Sequence, residues 1–208
     1  MPDFSHERAL YDQDCQIVAG VDEVGRGPLA GPVTAAAVVL DPARIPAGLN
    51  DSKALSAKKR EVLAEALHGC AEIAIVHVGI EEIERLNIRQ AAFAAMREAL
   101  RALPRTPSHA LIDGNALPDD LPCPATPLVK GDTRALSISA ASIVAKVARD
   151  ALMVDLAQQH PGYGWEHNAG YATQMHLSAL RDLGPTPHHR RSFAPVRKIL
   201  WQEKSRSL

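Results

Sequence analysis

Asp22 and Glu23 stand side by side near the end of an apolar run, Val18-Ala19-Gly20-Val21, and Val24-Gly25-Arg26-Gly27-Pro28 follows at once. An ionised carboxylate must stay hydrated, be paired or hold a metal, so two adjacent acids bring nothing to a strand that only packs a core. Two further acids sit in comparable places: Asp113 ends the short apolar run Ala110-Leu111-Ile112, and Asp132 follows Leu128-Val129-Lys130-Gly131. Loops leaving neighbouring strands of an α/β sheet converge in space, so these four acids can meet although they are distant in sequence. Such a cluster repels itself unless a cation lies within it, and a hard divalent ion suits oxygen ligands. A pair of these ions is the apparatus of phosphodiester hydrolysis. The competing reading is four ordinary loop acids, one of them capping a helix. The strand alternation also raises a difficulty, because Asp22 and Glu23 point to opposite faces unless the strand ends or bulges there.

Gly25-Arg26-Gly27-Pro28-Leu29-Ala30 fits the glycine pattern of a dinucleotide loop, but that loop must open a helix, and here Gly31-Pro32 lead into the apolar run 33–40. Two glycines around an arginine instead allow backbone to approach a sugar or phosphate closely, or form a tight turn with a solvated Arg26. Basic and aromatic residues that could grip a polyanion are Lys53, Lys130, Lys146, Tyr163, Trp165, His167, Tyr171 and the run 188–191. The nine histidines show no zinc-ligand spacing, and no serine or cysteine stands in a nucleophile motif.

The elements that must position these groups follow from periodicity. Strands are expected over 16–24, 33–40, 73–78, 110–112 and 128–129, the first two as a hairpin; helices are expected over 57–68, 88–103, 134–158 and 174–183, with a helical turn at 81–85. Residues 118–127 read as a proline-rich loop. Interleaved strands and helices beginning with a hairpin give an α/β domain with a mixed sheet. The 208 residues suit one catalytic domain, 16–160, with a loosely attached lead-in, 1–15, and a C-terminal extension, 161–208, for substrate binding. A net charge of −1 excludes a globally basic protein, so a nucleic acid must be met by a local patch. Three widely spaced cysteines indicate neither a disulfide framework nor a zinc site and fit a reducing cytoplasm. No signal peptide or membrane span is evident, so a soluble protein, monomeric and away from the membrane, is expected.

Taken together, Ala-Gly-Val-Asp-Glu-Val-Gly-Arg-Gly-Pro at 19–28, Leu-Asn-Asp-Ser-Lys at 49–53, Leu-Ile-Asp-Gly-Asn at 111–115, Val-Lys-Gly-Asp at 129–132, the helix segment 138–150, Gly-Tyr-Ala-Thr at 170–173 and His-Arg-Arg-Ser-Phe-Ala-Pro-Val at 189–196 resemble bacterial ribonuclease HII. The resemblance covers nearly the whole chain. It implies a ribonuclease H-like mixed five-stranded sheet flanked by helices with a small helical C-terminal extension. It also implies Mg²⁺- or Mn²⁺-dependent cleavage 5′ of a ribonucleotide in duplex DNA or in an RNA–DNA hybrid. By motif position Asp22, Glu23, Asp113 and Asp132 match the family's catalytic, metal-holding acids. Gly25, Arg26 and Gly27 match its loop that reads the ribose 2′-hydroxyl, Tyr171 its sugar-stacking tyrosine, and Lys53, Arg190 and Ser192 lie in groove-lining segments. Relatives often carry His-Lys-Gly-Tyr where this chain has Asn168-Ala169-Gly170-Tyr171, which removes a basic contact. Two other readings compete: a nucleic-acid-binding module without catalysis, disfavoured by four intact acids, and a different two-metal nuclease indifferent to the 2′-hydroxyl.

Overall fold

A computed structural model describes residues 1–206, with side chains through Trp201. Its helices are α1 (Ser5–Tyr11), α2 (Ala57–His68), α3 (Ile80–Leu86), α4 (Ile88–Arg101), α5 (Leu136–Gln159), α6 (Trp165–Asn168), α7 (Gln174–Leu183) and α8 (Ala194–Arg206). The strands are β1 (Val18–Val24), β2 (Val33–Leu40), β3 (Ala71–Val78), β4 (His109–Asp113) and β5 (Ala125–Leu128). They form one mixed sheet in the order β3-β2-β1-β4-β5. β1 and β2 are an antiparallel hairpin, whereas β4 runs parallel to β1 and β5 parallel to β4. The C-terminal ends of β1, β4 and β5 therefore open on one edge of the sheet.

Every residue of β2 is buried, as its unbroken apolar run requires when helices cover both faces. On one face Ala19, Val21, Ala35 and Ala37 pack against Ala95, Met96 and Ala99 of α4. On the other, Ala36 and Val38 pack against Ala140, Ile143 and Val144 of α5, and Val18 packs against Ile138. A side chain at Gly20 would overlap the Ser137 backbone, so the missing Cβ lets α5 lie directly on β1. That closeness explains why Ser139 and Ser142 of α5 are buried as well.

Two expectations change. The lead-in 1–15 is not loose: α1 brings buried Glu7 to Ser137, whose backbone N–H and Oγ donate to its carboxylate at 2.7 and 2.6 Å. An isolated bridge, Asp3 with Ala135, adds a second tether. The last strand, expected at 128–129, lies at Ala125–Leu128 and so begins within the expected proline-rich loop, with Pro127 opposite Ile112. Proline is tolerated because β5 is the sheet edge, where one side of the backbone has no strand to donate to. Beyond α5, residues Tyr163, Trp165, Leu180 and Val196 close a small C-terminal core on Leu29, Ala30 and Met153. Among the described residues no helix is long and apolar enough to cross a membrane.

Candidate active site

β1 delivers both of its acids with regular pairing: Asp22 opposes Ala36 and Glu23 opposes Ala35, with no bulge before the chain turns at Gly25, φ +92°. The alternation holds, so Asp22 lies on the α5 face with Ala36 and Glu23 on the α4 face with Ala35. Next in register on β4, Asp113 follows Ile112, which belongs to the α4 face, and so shares the α5 side with Asp22. Asp132 stands in the 3-10 turn Gly131–Thr133 directly after β5. Asp113 fixes that turn by accepting the Gly131 N–H at 2.7 Å.

Three acids thus gather at one strand edge, and Glu23 reaches the same place from the other side of β1. It shares with Asp113 a cavity of about 410 Å³, lined also by Arg26, Arg89, Phe93 and Asn115. A larger cavity, about 600 Å³, lies at the opposite ends of β2 and β3 around Asp41, Arg44 and Arg105 and contains none of the four acids.

The electrostatics are those of carboxylates without enough positive charge. Burial first, then repulsion from Glu23 and Asp113, pushes Asp22 well above the usual aspartate range, against hydrogen bonds from Ser142 and the Glu23 amide. Burial also raises Glu23, partly offset by Arg26, whose NH1 lies 3.2 Å from Glu23 Oε1. Asp132 is raised by burial, Asp113 and Asp51, with Lys53 opposing at 3.7 Å. With Asp22, Glu23 and Asp132 raised and Asp113 beside them, this set of carboxylate oxygens fits a hard divalent ion. Among the described residues, no three acid, imidazole or thiol groups already close around one cation-sized point.

The Gly25-Arg26-Gly27 turn lies beside Tyr171: a Cβ on Gly27 would sit 3.4 Å from the tyrosine ring. The two segments are tied by the Leu29 N–H donating to Gly170 O at 2.8 Å. Tyr171 is half-exposed, with its ring available to a ligand. In the altered segment before it, Asn168 donates to Tyr163 O and accepts from the Gly170 N–H, both at 2.8 Å. Asn168 shapes the turn rather than supplying charge. Lys53 is largely exposed beside Asp132. Ser192 donates through N–H and Oγ to Glu84 of α3. Arg190 does not line the groove: it is fully buried, its guanidinium spent on the carbonyls of Gly25, Arg26 and Gly31.

Sequence reasoning missed Ser142 and Asp51. Ser142 sits on α5 and bonds Ser52 Oγ at 2.9 Å as well as Asp22; Asp51 caps the turn carrying Lys53, accepting its N–H at 2.9 Å. The adjacent small polar residues of α5 were the available signal for Ser142.

A family model described as Ribonuclease HII matches residues 19–196. The chain is 62% identical over 204 residues to a protein named Ribonuclease HII from Cereibacter sphaeroides, covering 98% of this chain and 96% of the relative. It is 64% identical over 188 residues to one of the same name from Roseobacter denitrificans, covering 90% and 95%. Among solved structures, the ribonuclease H2 from Pyrococcus horikoshii OT3 superimposes with a TM-score of 0.77 at 27% identity, covering 93% of this chain and all of that one. A ribonuclease HIII solved in complex with Mn²⁺ shares the fold at a TM-score of 0.74 and 22% identity, over 91% of this chain and 70% of that one.

Proposed function

This chain belongs to the ribonuclease HII family, and from that premise we propose which of its residues carry a type 2 ribonuclease H reaction and on what substrate. Asp22, Glu23, Asp113 and Asp132 are the catalytic and metal-holding acids, with Mg²⁺ or Mn²⁺ as the ion. The observation that carries this reading is the gathering of these acids at one strand edge, where burial and mutual repulsion raise Asp22, Glu23 and Asp132. A divalent cation held there supplies charge neutralisation and the activation of water for phosphodiester hydrolysis.

The substrate is a DNA duplex containing ribonucleotides, or an RNA–DNA hybrid. It is cut 5′ of a ribonucleotide to leave 3′-hydroxyl and 5′-phosphate ends, the first step of removing ribonucleotides from DNA. Gly25, Arg26 and Gly27 face the ribose, whose 2′-hydroxyl distinguishes RNA from DNA. Tyr171, packed beside Gly27, offers its exposed ring to the adjoining sugar. Lys53 meets phosphate at the acid edge, and Ser192, oriented by Glu84, meets the flanking backbone. Residues 16–160 perform the chemistry and 161–208 grip the duplex; the two C-terminal residues, 207 and 208, lie outside the described residues. The enzyme works as a cytoplasmic monomer.

The test compares a duplex carrying one ribonucleotide with the same duplex in all-DNA form, each with Mg²⁺ and with Mn²⁺. Cleavage confined to the 5′ side of the ribonucleotide is the expected result. Equal cutting of both duplexes would assign a nuclease indifferent to the sugar, and binding without cutting would assign a recognition module.

A further inference from the structure

Arg149 and Arg190 are both fully buried, yet neither forms an ion pair with a carboxylate among the described residues. Burying an unpaired guanidinium is unfavourable, and burying two as neighbours more so. Burial and the nearby Arg149 push Arg190 down to about 9. What compensates them is a set of backbone carbonyls. Arg149 donates to Pro32 O at 2.9 Å, Ala30 O at 3.1 Å and Ala169 O at 3.0 Å. Arg190 donates to Gly25 O at 2.6 Å, Arg26 O at 3.0 Å and Gly31 O at 2.8 and 3.0 Å. All the acceptors belong to the loop from Gly25 to Pro32 or to the turn before Tyr171.

The direction of those bonds has a geometric consequence. No peptide bond in the described chain is cis, and in a planar trans peptide the C=O and the following N–H point in opposite directions. With Gly25 O and Arg26 O turned inward to Arg190, the N–H groups of Arg26 and Gly27 are turned outward. Neither amide donates to another backbone or side-chain group among the described residues. The fit is tight enough to dictate sequence: a Cβ on Gly25 would overlap Arg149, and one on Gly31 would overlap Met153.

We propose that Arg190, seconded by Arg149, is a positioning residue for ribose recognition, holding the carbonyls of Gly25 and Arg26 so that the amides of Arg26 and Gly27 stand as a preset pair of donors for the 2′-oxygen. The inference rests on the reading of residues 25–27 as the ribose-facing loop. It separates two jobs within one arginine-rich region: Arg26 is exposed to the substrate side, whereas Arg190 never touches substrate and acts through the backbone.

Binding measured with Ca²⁺ in place of an activating metal separates this role from simple structural support. The wild-type chain should bind a duplex with one ribonucleotide more tightly than the same duplex in DNA. Arg190→Lys keeps the charge but loses the forked geometry; it should hold all-DNA affinity within about twofold while losing about tenfold of the ribonucleotide preference, the scale of one or two hydrogen bonds. Equal weakening on both duplexes, or an unchanged preference in the folded variant, overturns the proposal. On the wild-type chain, the amide resonances of Arg26 and Gly27 should shift with the ribonucleotide duplex and not with the DNA duplex. If they stay still the proposal fails, whether or not the variant folds. A wild-type chain that shows no ribonucleotide preference overturns the ribose-facing reading itself, and the proposal with it.

Discussion

Asp22→Asn should abolish cleavage and, in the absence of divalent metal, make the protein more stable. Asp22 is 6% exposed. Burial, Glu23 and Asp113 all oppose its ionisation. An asparagine Oδ1 can still accept the Glu23 N–H, now bound at 2.7 Å, so the substitution removes the charge without removing that bond. A stabilisation of about 1–2 kcal/mol near neutral pH is expected, the scale on which functional charges trade stability for activity. For a chain of this length that is a rise in melting temperature of about 3–6 °C. The sign with pH follows from linkage. A carboxyl raised in the folded state costs nothing below its unfolded value, and its penalty builds as pH rises from that value through the folded one. The advantage of Asp22→Asn should therefore be absent below the ordinary aspartate value of 3.8 and grow as pH rises above it. Millimolar Mg²⁺ or Mn²⁺ should stabilise the wild type and narrow the gap, because a ligand that binds only the folded state shifts its stability by mass action. Calorimetry at two pH values with and without metal measures all of this. A variant no more stable than wild type at the higher pH without metal would show that the Asp22 charge is already compensated inside the protein, and the cation-centred account would be wrong.

Gly20→Ala should destabilise by about 1–3 kcal/mol, since the new methyl overlaps the Ser137 backbone and must push α5 off β1; a urea midpoint equal to wild type would refute that contact. Tyr171→Ala should reduce selectivity for a single ribonucleotide more than it reduces duplex affinity, and equal losses would remove the ring from ribose recognition. His189, buried and facing His176 Nε2 at 3.0 Å, is pushed down to about 3 by burial and by the His176 charge. Its ordinary value lies near 6.5, so the unfolded chain takes up a proton that the folded chain refuses as pH falls below that value. Stability should fall by up to ~1.4 kcal/mol per pH unit below it, and His189→Gln should flatten this slope. Denaturant titrations at several pH values give the answer; identical slopes would mean that His189 is not held neutral.

Much of this was legible in the residues, and the exceptions share a cause. The β1–β2 hairpin and α4 follow from local apolar periodicity and turn chemistry. Asp22, Asp113 and Asp132 were placed at strand ends by the same reasoning, and the opposed directions of Asp22 and Glu23 follow from strand alternation alone. What was not legible depends on groups far apart in the chain. α1 is held by Glu7 on Ser137, and β5 forms across Pro127 only because β4 accepts it at an edge. Arg190 looked like a phosphate ligand because a cationic residue in a basic run carries no sign of the carbonyls that folding will aim at it. Those carbonyls come from residues more than a hundred positions earlier.

The most direct test of the central claim is to measure cleavage of a single-ribonucleotide duplex by Asp22→Asn, Glu23→Gln, Asp113→Asn and Asp132→Asn, with duplex binding followed in parallel. Loss of cleavage in all four with binding retained is the predicted result. Near wild-type cleavage by any of them would contradict the four-acid site, and retention by Glu23→Gln would reduce it to the remaining three acids, Asp22, Asp113 and Asp132.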